Sequence, residues 1–274
     1  MTDASEWQGR VGRSWASEWK RTDRSFGGLT ARLLEEIGER PARNVLDVGC
    51  GAGELSLAIA RSRPASHVTG VDISSDLIDI ARQRGAQLPN VQFLLDDAAT
   101  WRPERDGRPE LVVSRHGVMF FPDPVEAFAN LAAAADDDAQ LVFSCFRSRR
   151  DNPFFIEISR LLPDAQPPAD PHAPGPFAFA DDMRVTEILR SAGWTDIDCD
   201  RFDFAMIAGG GEDPVEDALE YFATIGPAAA AAREMDMAPR ERFYDRVRHM
   251  AADNERDGIV SLRASTWIVT ARKA

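Results

Sequence analysis

The sequence is poor in the residues that build disulfide frameworks and metal centres. It contains 3 cysteines and 4 histidines among 274 residues, and no cysteine–histidine cluster has the spacing of metal ligands. Three cysteines do not make a disulfide framework, so we expect Cys50, Cys145 and Cys199 to be free, buried thiols. This pattern is typical of a protein in a reducing cytoplasm and predicts that the chain binds no metal.

The sequence also lacks long apolar runs and an excess of basic residues. No run of about 18 apolar residues is present, so we expect no membrane span, and the polar N-terminal stretch has no apolar signal core. The formal net charge is −13. Such a surface repels phosphate backbones, so we expect no nucleic-acid partner. These features favour a cytoplasmic protein that acts on a small molecule.

What the sequence does contain is a glycine-rich stretch, Val45-Leu-Asp-Val-Gly-Cys-Gly-Ala-Gly53, followed by an amphipathic helical pattern. It predicts a strand, a tight turn and a helix, because glycines permit positive φ and let a ligand approach the backbone. The start of the helix offers free N–H groups. Asp47 would repel a pyrophosphate here, but it suits a ligand with an ammonium or sulfonium charge. The alternative is an ordinary turn between a strand and a helix.

Further apolar segments continue the alternation of strands and helices. They are residues 68–71, 91–95, 111–114 and 139–146. The alternation predicts an α/β fold, with a parallel sheet covered by helices on both faces. Ligands of such sheets bind at the carboxyl ends of the strands. Four charged residues lie at those ends, so we expect the binding site there: Asp47, Asp72, Asp96 and Arg115.

Residues 45–146 resemble the class I S-adenosylmethionine (SAM)-dependent methyltransferases. The resemblance rests on the order of residues 45–53 and three later motifs: Gly70-Val-Asp-Ile-Ser74, Phe93-Leu-Leu-Asp-Asp-Ala98 and Leu111-Val-Val-Ser-Arg-His-Gly-Val-Met-Phe-Phe121. It implies a Rossmann-like, doubly wound sheet of seven mostly parallel strands with an antiparallel last strand. It also implies that SAM is the cofactor and that S-adenosylhomocysteine is the product.

The same resemblance assigns residues to the cofactor. Asp47 would face the methionine end, Asp72 would accept both ribose hydroxyls, and Asp97 would lie beside adenine. Asp96 is the alternative to Asp97, and the sequence does not decide between them. The predicted cofactor-binding residues are Asp47, Gly49, Cys50, Gly51, Asp72, Ile73, Asp96, Asp97, Ala98, Ser114 and Arg115.

His116, just after the fourth strand, is the candidate catalytic residue. Related methyltransferases often have an aromatic residue at this position, so the resemblance passes on no catalytic role. We predict either a packing histidine beside the pocket or a general base. Methyl transfer needs a base only where the nucleophile, such as a hydroxyl, has to lose a proton.

Helical segments and a proline-rich loop elaborate the predicted single domain. We expect an N-terminal helical cap (1–40), a SAM-binding core (41–150), a helix with a proline-rich lid (151–180), a helix and strand (181–212), a helical insertion (213–257) and a final strand (258–274). Trp15 and Trp19, one helical turn apart, either pin a helix to the core or cap the cofactor. Residues 163–180 are either a surface linker or a lid. In an extended lid Phe177 and Phe179 would share one side and wall the pocket; the alternative is that they pin the loop to the core.

The sequence therefore predicts a SAM-dependent methyltransferase for a small, apolar or aromatic acceptor, similar to bacterial enzymes related to the quinone-biosynthesis methyltransferases. Two rivals stay open. A nicotinamide-dependent oxidoreductase would share Asp72, but Glu54 stands where its third glycine would be. A SAM-binding regulatory protein would keep the cofactor motif without turnover. The sequence decides neither the acceptor atom nor the oligomeric state.

Overall fold

A central β-sheet organises the computed structural model, which describes residues 4–38, 40–104, 107–162 and 170–274. The strands are β1 (Asn44–Val48), β2 (His67–Asp72), β3 (Val91–Leu95), β4 (Leu111–Arg115), β5 (Gln140–Phe146), β6 (Trp194–Gly209), β7 (Glu255–Arg256) and β8 (Ile259–Lys273). The main path runs β3-β2-β1-β4-β5-β8-β6, and the short β7 pairs with β8. Neighbours from β3 to β5 are parallel, whereas β8 lies antiparallel between β5 and β6. The predicted mostly parallel sheet with an antiparallel last strand is confirmed; the two-residue β7 adds an eighth strand to the seven predicted.

Helices cover both faces of the sheet and its carboxyl-end edge. They are α1 (Ala4–Trp7), α2 (Arg10–Ser17), α3 (Trp19–Ser25), α4 (Gly27–Ile37), α5 (Glu54–Ser62), α6 (Ser75–Gly85), α7 (Pro124–Ala134), α8 (Pro153–Leu161), α9 (Asp182–Ser191), α10 (Pro214–Thr224), α11 (Gly226–Glu234) and α12 (Met237–Asp253), with a 3-10 turn at Gly117–Phe120. Helices α10 to α12 lie between β6 and β8 in the chain, where the sequence predicts a helical insertion.

Local side-chain caps explain where several helices begin. Asp123 and Asp213 each accept a hydrogen bond, at 3.0 Å, from the backbone N–H three residues later, at the starts of α7 and α10. Helix α4 ends before Gly38, which has φ of +49°, because a glycine reaches this backbone conformation without steric cost.

The two N-terminal tryptophans lie on different helices. The sequence predicts that Trp15 and Trp19 lie one turn apart on a single helix. In the structure Glu18, with φ −100° and ψ 14°, separates α2 from α3, so the two tryptophans lie on different helices. Trp15 faces an aromatic cavity. The ring of Trp19 instead lies 4.0 Å from the guanidinium carbon of Arg84 on α6, so the two side chains serve different parts of the molecule.

The proline-rich loop does not place its two phenylalanines on one side. Residues 163–169 of the predicted lid lie outside the described residues, and the part that follows is built of turns rather than extended chain. Phe179 is 2% exposed and packs on Phe128 and Phe143 in the core, whereas Phe177 packs on Phe155. The hypothesis that Phe179 lines a lid is therefore wrong, because the turns point it into the core.

Helix α3 is tied to the insertion by ion pairs. Arg21 Nε lies 2.6 Å from Asp217 Oδ1, and Arg24 Nη2 lies 2.6 Å from Asp217 Oδ2. Asp217, on α10, also accepts the backbone N–H of Gly210 at 2.9 Å. The cap and the insertion, which are almost 200 residues apart in sequence, therefore meet at the carboxyl-end edge of the sheet.

Candidate functional site

The glycine turn after β1 brings two backbone segments into contact and leaves a third open. Gly49 has φ +65°, and a Cβ there would lie 2.8 Å from the Cα of Gly117, so the turns after β1 and β4 pack together without side chains. Gly51 has φ +55° and would place a Cβ in open space. A ligand can therefore approach the main chain at Gly51, as the sequence predicts for the turn.

Asp47 is a buried carboxylate under this turn. Its side chain is 1% exposed, and Oδ2 accepts a 2.5 Å hydrogen bond from the Ser56 hydroxyl. Oδ1 has no hydrogen-bond partner among the described residues. Burial raises the pKa of Asp47 to about 7, although Ser56 and the charge of Arg115 oppose the shift. The pKa of this carboxyl is therefore close to neutral pH, and its Oδ1 lacks a hydrogen-bond partner among the described residues.

Asp72 at the end of β2 caps two backbone segments. Its Oδ2 accepts the Gly51 N–H and its Oδ1 accepts the Ser74 N–H, both at 2.9 Å. Burial raises the pKa of Asp72, and these backbone donors oppose the rise. Each carboxylate oxygen can accept a further hydrogen bond, so the side chain can hold a diol while it keeps the turn in place.

The backbone N–H groups of Gly49 and Cys50 are not available to a ligand. Both donate to the carbonyl of Val71, at 2.9 and 3.1 Å. The Cys50 thiol is buried, and burial raises its pKa. The Gly51 N–H also donates a hydrogen bond, to Asp72, but the open space at this glycine leaves room for a ligand beside the main chain. Ile73 is partly exposed beside Asp72.

The two acids after β3 are exposed and fold back on the chain. Asp96 Oδ1 accepts the Asp97 N–H at 2.8 Å, and Asp97 Oδ1 accepts the Ala99 N–H at 2.9 Å. Ala98 is buried. Since each carboxylate keeps one oxygen free of these turns, both acids stay candidates for the same contact.

Ser114 and Arg115 at the end of β4 have different surroundings. The Ser114 hydroxyl is fully buried, donates to the Val48 carbonyl at 2.7 Å and accepts the Gly117 N–H at 3.1 Å. It holds the two turns together and is not directed at a ligand. The Arg115 guanidinium contacts Glu54 and Thr30 and lies 3.7 Å from Asp23.

This arginine belongs to an ionic cluster that local sequence patterns do not reveal. Asp23 on α3 also pairs with Arg84 at 2.6 Å, and Arg84 donates to the Ala52 carbonyl of the glycine turn at 2.6 Å. Burial raises the pKa of Glu54, opposed by Arg115. The cluster joins the N-terminal cap to the glycine turn. Its members come from distant segments, so no spacing in the sequence could have identified it.

An aromatic cavity of about 160 Å³ opens beside this cluster. Its walls come from the cap, the ends of β4 and β5, α8 and the insertion, and the aromatic lining includes Trp15, Phe26, Phe120, Phe146, Phe155 and Phe222. The predictions from the sequence miss the contributions of α8 and α10. Paired aromatics such as Phe154-Phe155 and Tyr221-Phe222 on amphipathic helices were the available signal.

His116 lines the cavity and has φ of +66°. Its ring stacks on Phe146 with a centroid distance of 4.2 Å and meets Phe26 edge-on at 5.4 Å. Nδ1 lies 3.3 Å from both the carbonyl and the hydroxyl oxygen of Ser144, while Nε2 is shielded from water and has no partner among the described residues. Burial, with the charge of Arg115, lowers the pKa of His116 to about 3, so the imidazole is neutral.

The hydroxyl side of the cavity is formed by Thr22 and Tyr221. Burial raises the pKa of Tyr221, which keeps the phenol protonated, and the nearby Thr22 and Ser25 hydroxyls oppose the shift. Thr22 is buried, and its Oγ1 has no partner in hydrogen-bonding geometry among the described residues.

Within the described ranges no cluster of metal-binding side chains is present, and no described helix is long and apolar enough to cross a membrane.

Comparisons with known proteins relate this chain to methyltransferases. A family model described as methyltransferase domain matches residues 45–138. Over 130 residues, the chain is 27% identical to malonyl-[acyl-carrier protein] O-methyltransferase 1 of Ilyobacter polytropus, covering 47% of this chain and 46% of that protein. Over 101 residues, it is 28% identical to demethylmenaquinone methyltransferase of Staphylococcus aureus, covering 36% and 42%. The match spans less than half the length of both relatives.

A solved structure extends the likeness over nearly the whole chain. Phosphoethanolamine N-methyltransferase 2 of Haemonchus contortus, in complex with S-adenosyl-L-methionine, aligns with a TM-score of 0.55 at 15% sequence identity. The alignment covers 95% of this chain and 56% of that one. At this identity the likeness concerns the fold.

Proposed function

We propose that this chain, which matches a methyltransferase-domain model over residues 45–138, is a class I methyltransferase that transfers a methyl group from SAM to a small acceptor molecule. The observation that carries the proposal is the position of the aromatic cavity. His116 in its wall directly follows Arg115, whose guanidinium contacts Glu54 at the start of the helix after the glycine turn. The candidate cofactor residues and the cavity therefore meet at the end of β4.

The glycine turn fits SAM in charge and shape. Asp47 Oδ1 is buried without a partner, and SAM carries two cationic groups, an ammonium and a sulfonium, either of which would satisfy it. Gly51 leaves open space beside the backbone, and Asp72 keeps acceptor capacity for two ribose hydroxyls. A pyrophosphate in the same turn would meet the buried carboxylate of Asp47 and the half-buried carboxylate of Asp72, which disfavours the nicotinamide-dependent oxidoreductase.

In the proposed complex, SAM supplies an electrophilic methyl group. Asp47 holds the methionine end, Asp72 with the neighbouring Ile73 holds the ribose, and Asp97 or Asp96 with Ala98 lies beside adenine. Ser114 sets the position of Gly117, and Arg115 holds α3 over the site. Because sulfonium methyl transfer has a good leaving group, the chain contributes mainly by positioning the acceptor and excluding water. The aromatic lining of the cavity supports both tasks.

The finer features of the proposal are a small acceptor and a cytoplasmic location. The net charge of −13 opposes binding to a nucleic acid, and the cavity volume of about 160 Å³ suits a small molecule. The three free cysteines suit a reducing compartment. The alternative is a SAM-binding regulatory protein, which would have the same cofactor residues and no turnover.

Calorimetry and a turnover assay test the proposal together. Titration with SAM and with S-adenosylhomocysteine should give micromolar dissociation constants, about −7 to −8 kcal/mol, and NADH should not compete. S-adenosylhomocysteine release with a panel of single-ring acceptors then separates enzyme from binder. Tight NADH binding without SAM binding would refute the function. SAM binding without turnover by any acceptor would favour the regulatory alternative.

A further inference from the structure

The state of His116 defines what a ligand in the cavity has to offer. A bare Nδ1 would point its lone pair at the Ser144 carbonyl oxygen 3.3 Å away, which is repulsive. The Ser144 hydroxyl, also 3.3 Å from Nδ1, could donate to a bare Nδ1 but would leave that repulsion in place. We therefore assign the proton to Nδ1, which donates to the carbonyl. Nε2 is then an unprotonated acceptor, buried and without a partner among the described residues. A buried acceptor of this kind is stabilised by a ligand that donates a hydrogen bond.

The positive charge at the cavity is already neutralised. Arg115 is the cationic residue among the described residues that line the cavity, and it is engaged by Glu54, Asp23 and Thr30. Its side chain is 15% exposed. A carboxylate in the cavity would gain no free cation from these residues and would face the lone pair of Nε2. The cavity therefore disfavours anionic acceptors.

The volume and lining of the cavity restrict the size of the acceptor. A cavity of about 160 Å³ is close to the volume of about 150 Å³ that accepts benzene in an engineered apolar core. Aromatic side chains from five parts of the chain surround it, and such rings favour edge-to-face or offset packing with a further ring. One planar ring with a short substituent fits these limits.

We infer that the acceptor is an uncharged, single-ring compound with a hydroxyl group, and that His116 selects it by accepting a hydrogen bond from that hydroxyl. The inference rests on the proposed function, because it concerns the acceptor site of the same reaction. It assigns His116 a role in specificity that the malonyl-[acyl-carrier protein] relative, whose named substrate carries a carboxylate, does not suggest.

The same surroundings argue against prior deprotonation of the hydroxyl by His116. A phenol titrates at about 10, as tyrosine does, whereas the pKa of His116 is about 3. Proton transfer to the imidazole in the ground state is therefore strongly unfavourable. The hydrogen bond orients the oxygen and penalises ligands that have no donor.

Equilibrium binding of three ring compounds of similar size tests the inference without turnover. The probes are p-cresol, its isostere p-xylene, and the anion p-toluate, each titrated at neutral pH into the protein saturated with S-adenosylhomocysteine. We expect the wild type to bind p-cresol at least about 10-fold more tightly than p-xylene and to show no measurable binding of p-toluate. Equal affinity for the first two, or a preference for p-toluate, would overturn the inference.

Substitution of the histidine assigns the preference to its nitrogen. His116→Phe keeps a ring against Phe146 and removes Nε2, so the preference for p-cresol should disappear. His249→Asn, at an exposed histidine on α12, is the matched control and should retain it. If His116→Phe does not fold at the left-handed φ, His116→Gly replaces it, since glycine adopts that conformation without steric cost and carries no side-chain acceptor. If the folded variant still prefers p-cresol to p-xylene, the hydrogen bond to His116 Nε2 is refuted.

Nitrogen NMR of histidine-labelled protein gives an independent readout. The His116 Nε2 signal should be that of an unprotonated nitrogen in the free protein and should shift on addition of p-cresol but not of p-xylene. A protonated Nε2 in the free protein would refute the tautomer and the inference with it. The SAM titration tests the proposed function separately. If the protein discriminates the probes but binds no SAM, the proposed function is refuted while the selectivity of the cavity stands.

Discussion

Replacement of Asp47 by asparagine should stabilise the protein and weaken its cofactor site at the same time. The carboxyl has an ordinary pKa of 3.8 and a pKa of about 7 in the folded chain. Between these values the unfolded chain has released the proton and the folded chain has kept it. The free energy of unfolding therefore falls as the pH rises through this window, by about 4 kcal/mol in total, from about 1.4 kcal/mol per pKa unit.

Asp47→Asn removes this dependence, because asparagine does not titrate. Relative to the wild type, the variant should gain about 1.5 kcal/mol at pH ~5 and about 4 kcal/mol at pH ~8.5. Any pH-independent cost of placing the asparagine amide next to Ser56 lowers the stability gain equally at both pH values. The difference between the two pH values, about 2.5 kcal/mol, does not contain that offset, and urea unfolding at each pH measures it.

Two further measurements make the test decisive. Glu241→Gln removes one exposed carboxylate from α12 and should show no such difference between the two pH values. SAM affinity of Asp47→Asn should fall about 10- to 100-fold, since a charged partner of the cofactor is lost. An equal stability change at both pH values would refute the buried, proton-holding carboxyl. Unchanged SAM affinity would refute its contact with the methionine end.

Three other predictions concern single residues. Asp72→Ala should weaken SAM binding by about 1.5–3 kcal/mol in calorimetry, and affinity equal to the wild type would remove Asp72 from the ribose site. Phe179→Ala should lower the free energy of unfolding by about 3–5 kcal/mol while the folded fraction keeps its affinity for acceptors; a weaker acceptor affinity at normal stability would restore the lid. The pH profile of kcat/KM should show no inflection from His116 between about pH 5 and 8, because its pKa of about 3 keeps it neutral there; an inflection lost in His116→Asn would contradict this.

The sequence predicts the sheet, and the positions of the candidate cofactor residues at its edge, because local patterns encode them. Apolar runs mark the buried strands, glycines mark the turn after β1, and an Asp-Pro-x-Glu pattern stands at two helix starts that the structure shows capped by the aspartate side chain. Asp47 and Asp72 follow from their positions at strand ends. Each of these features depends on a few consecutive residues.

The cavity and the ionic cluster could not be predicted in the same way. Asp23 and Arg84 are 61 residues apart, and Thr22 lies near Tyr221, almost 200 residues further along the chain. Such contacts depend on tertiary packing, which periodicity does not report. Phe179 illustrates the same limit: its spacing from Phe177 predicts a shared face only if the backbone is extended, and the turns of this segment decide otherwise.

Helix α3 connects the proposed cofactor edge to the proposed acceptor cavity. Within four consecutive residues it holds the insertion through Arg21 and Arg24, forms the cavity wall with Thr22, and reaches the glycine-turn cluster through Asp23. A displacement of this helix that frees Asp23 from Arg84 also takes Thr22 out of the wall. Cofactor exchange by that route would open the cavity to water, so access to the cofactor edge and access to the cavity would be coupled.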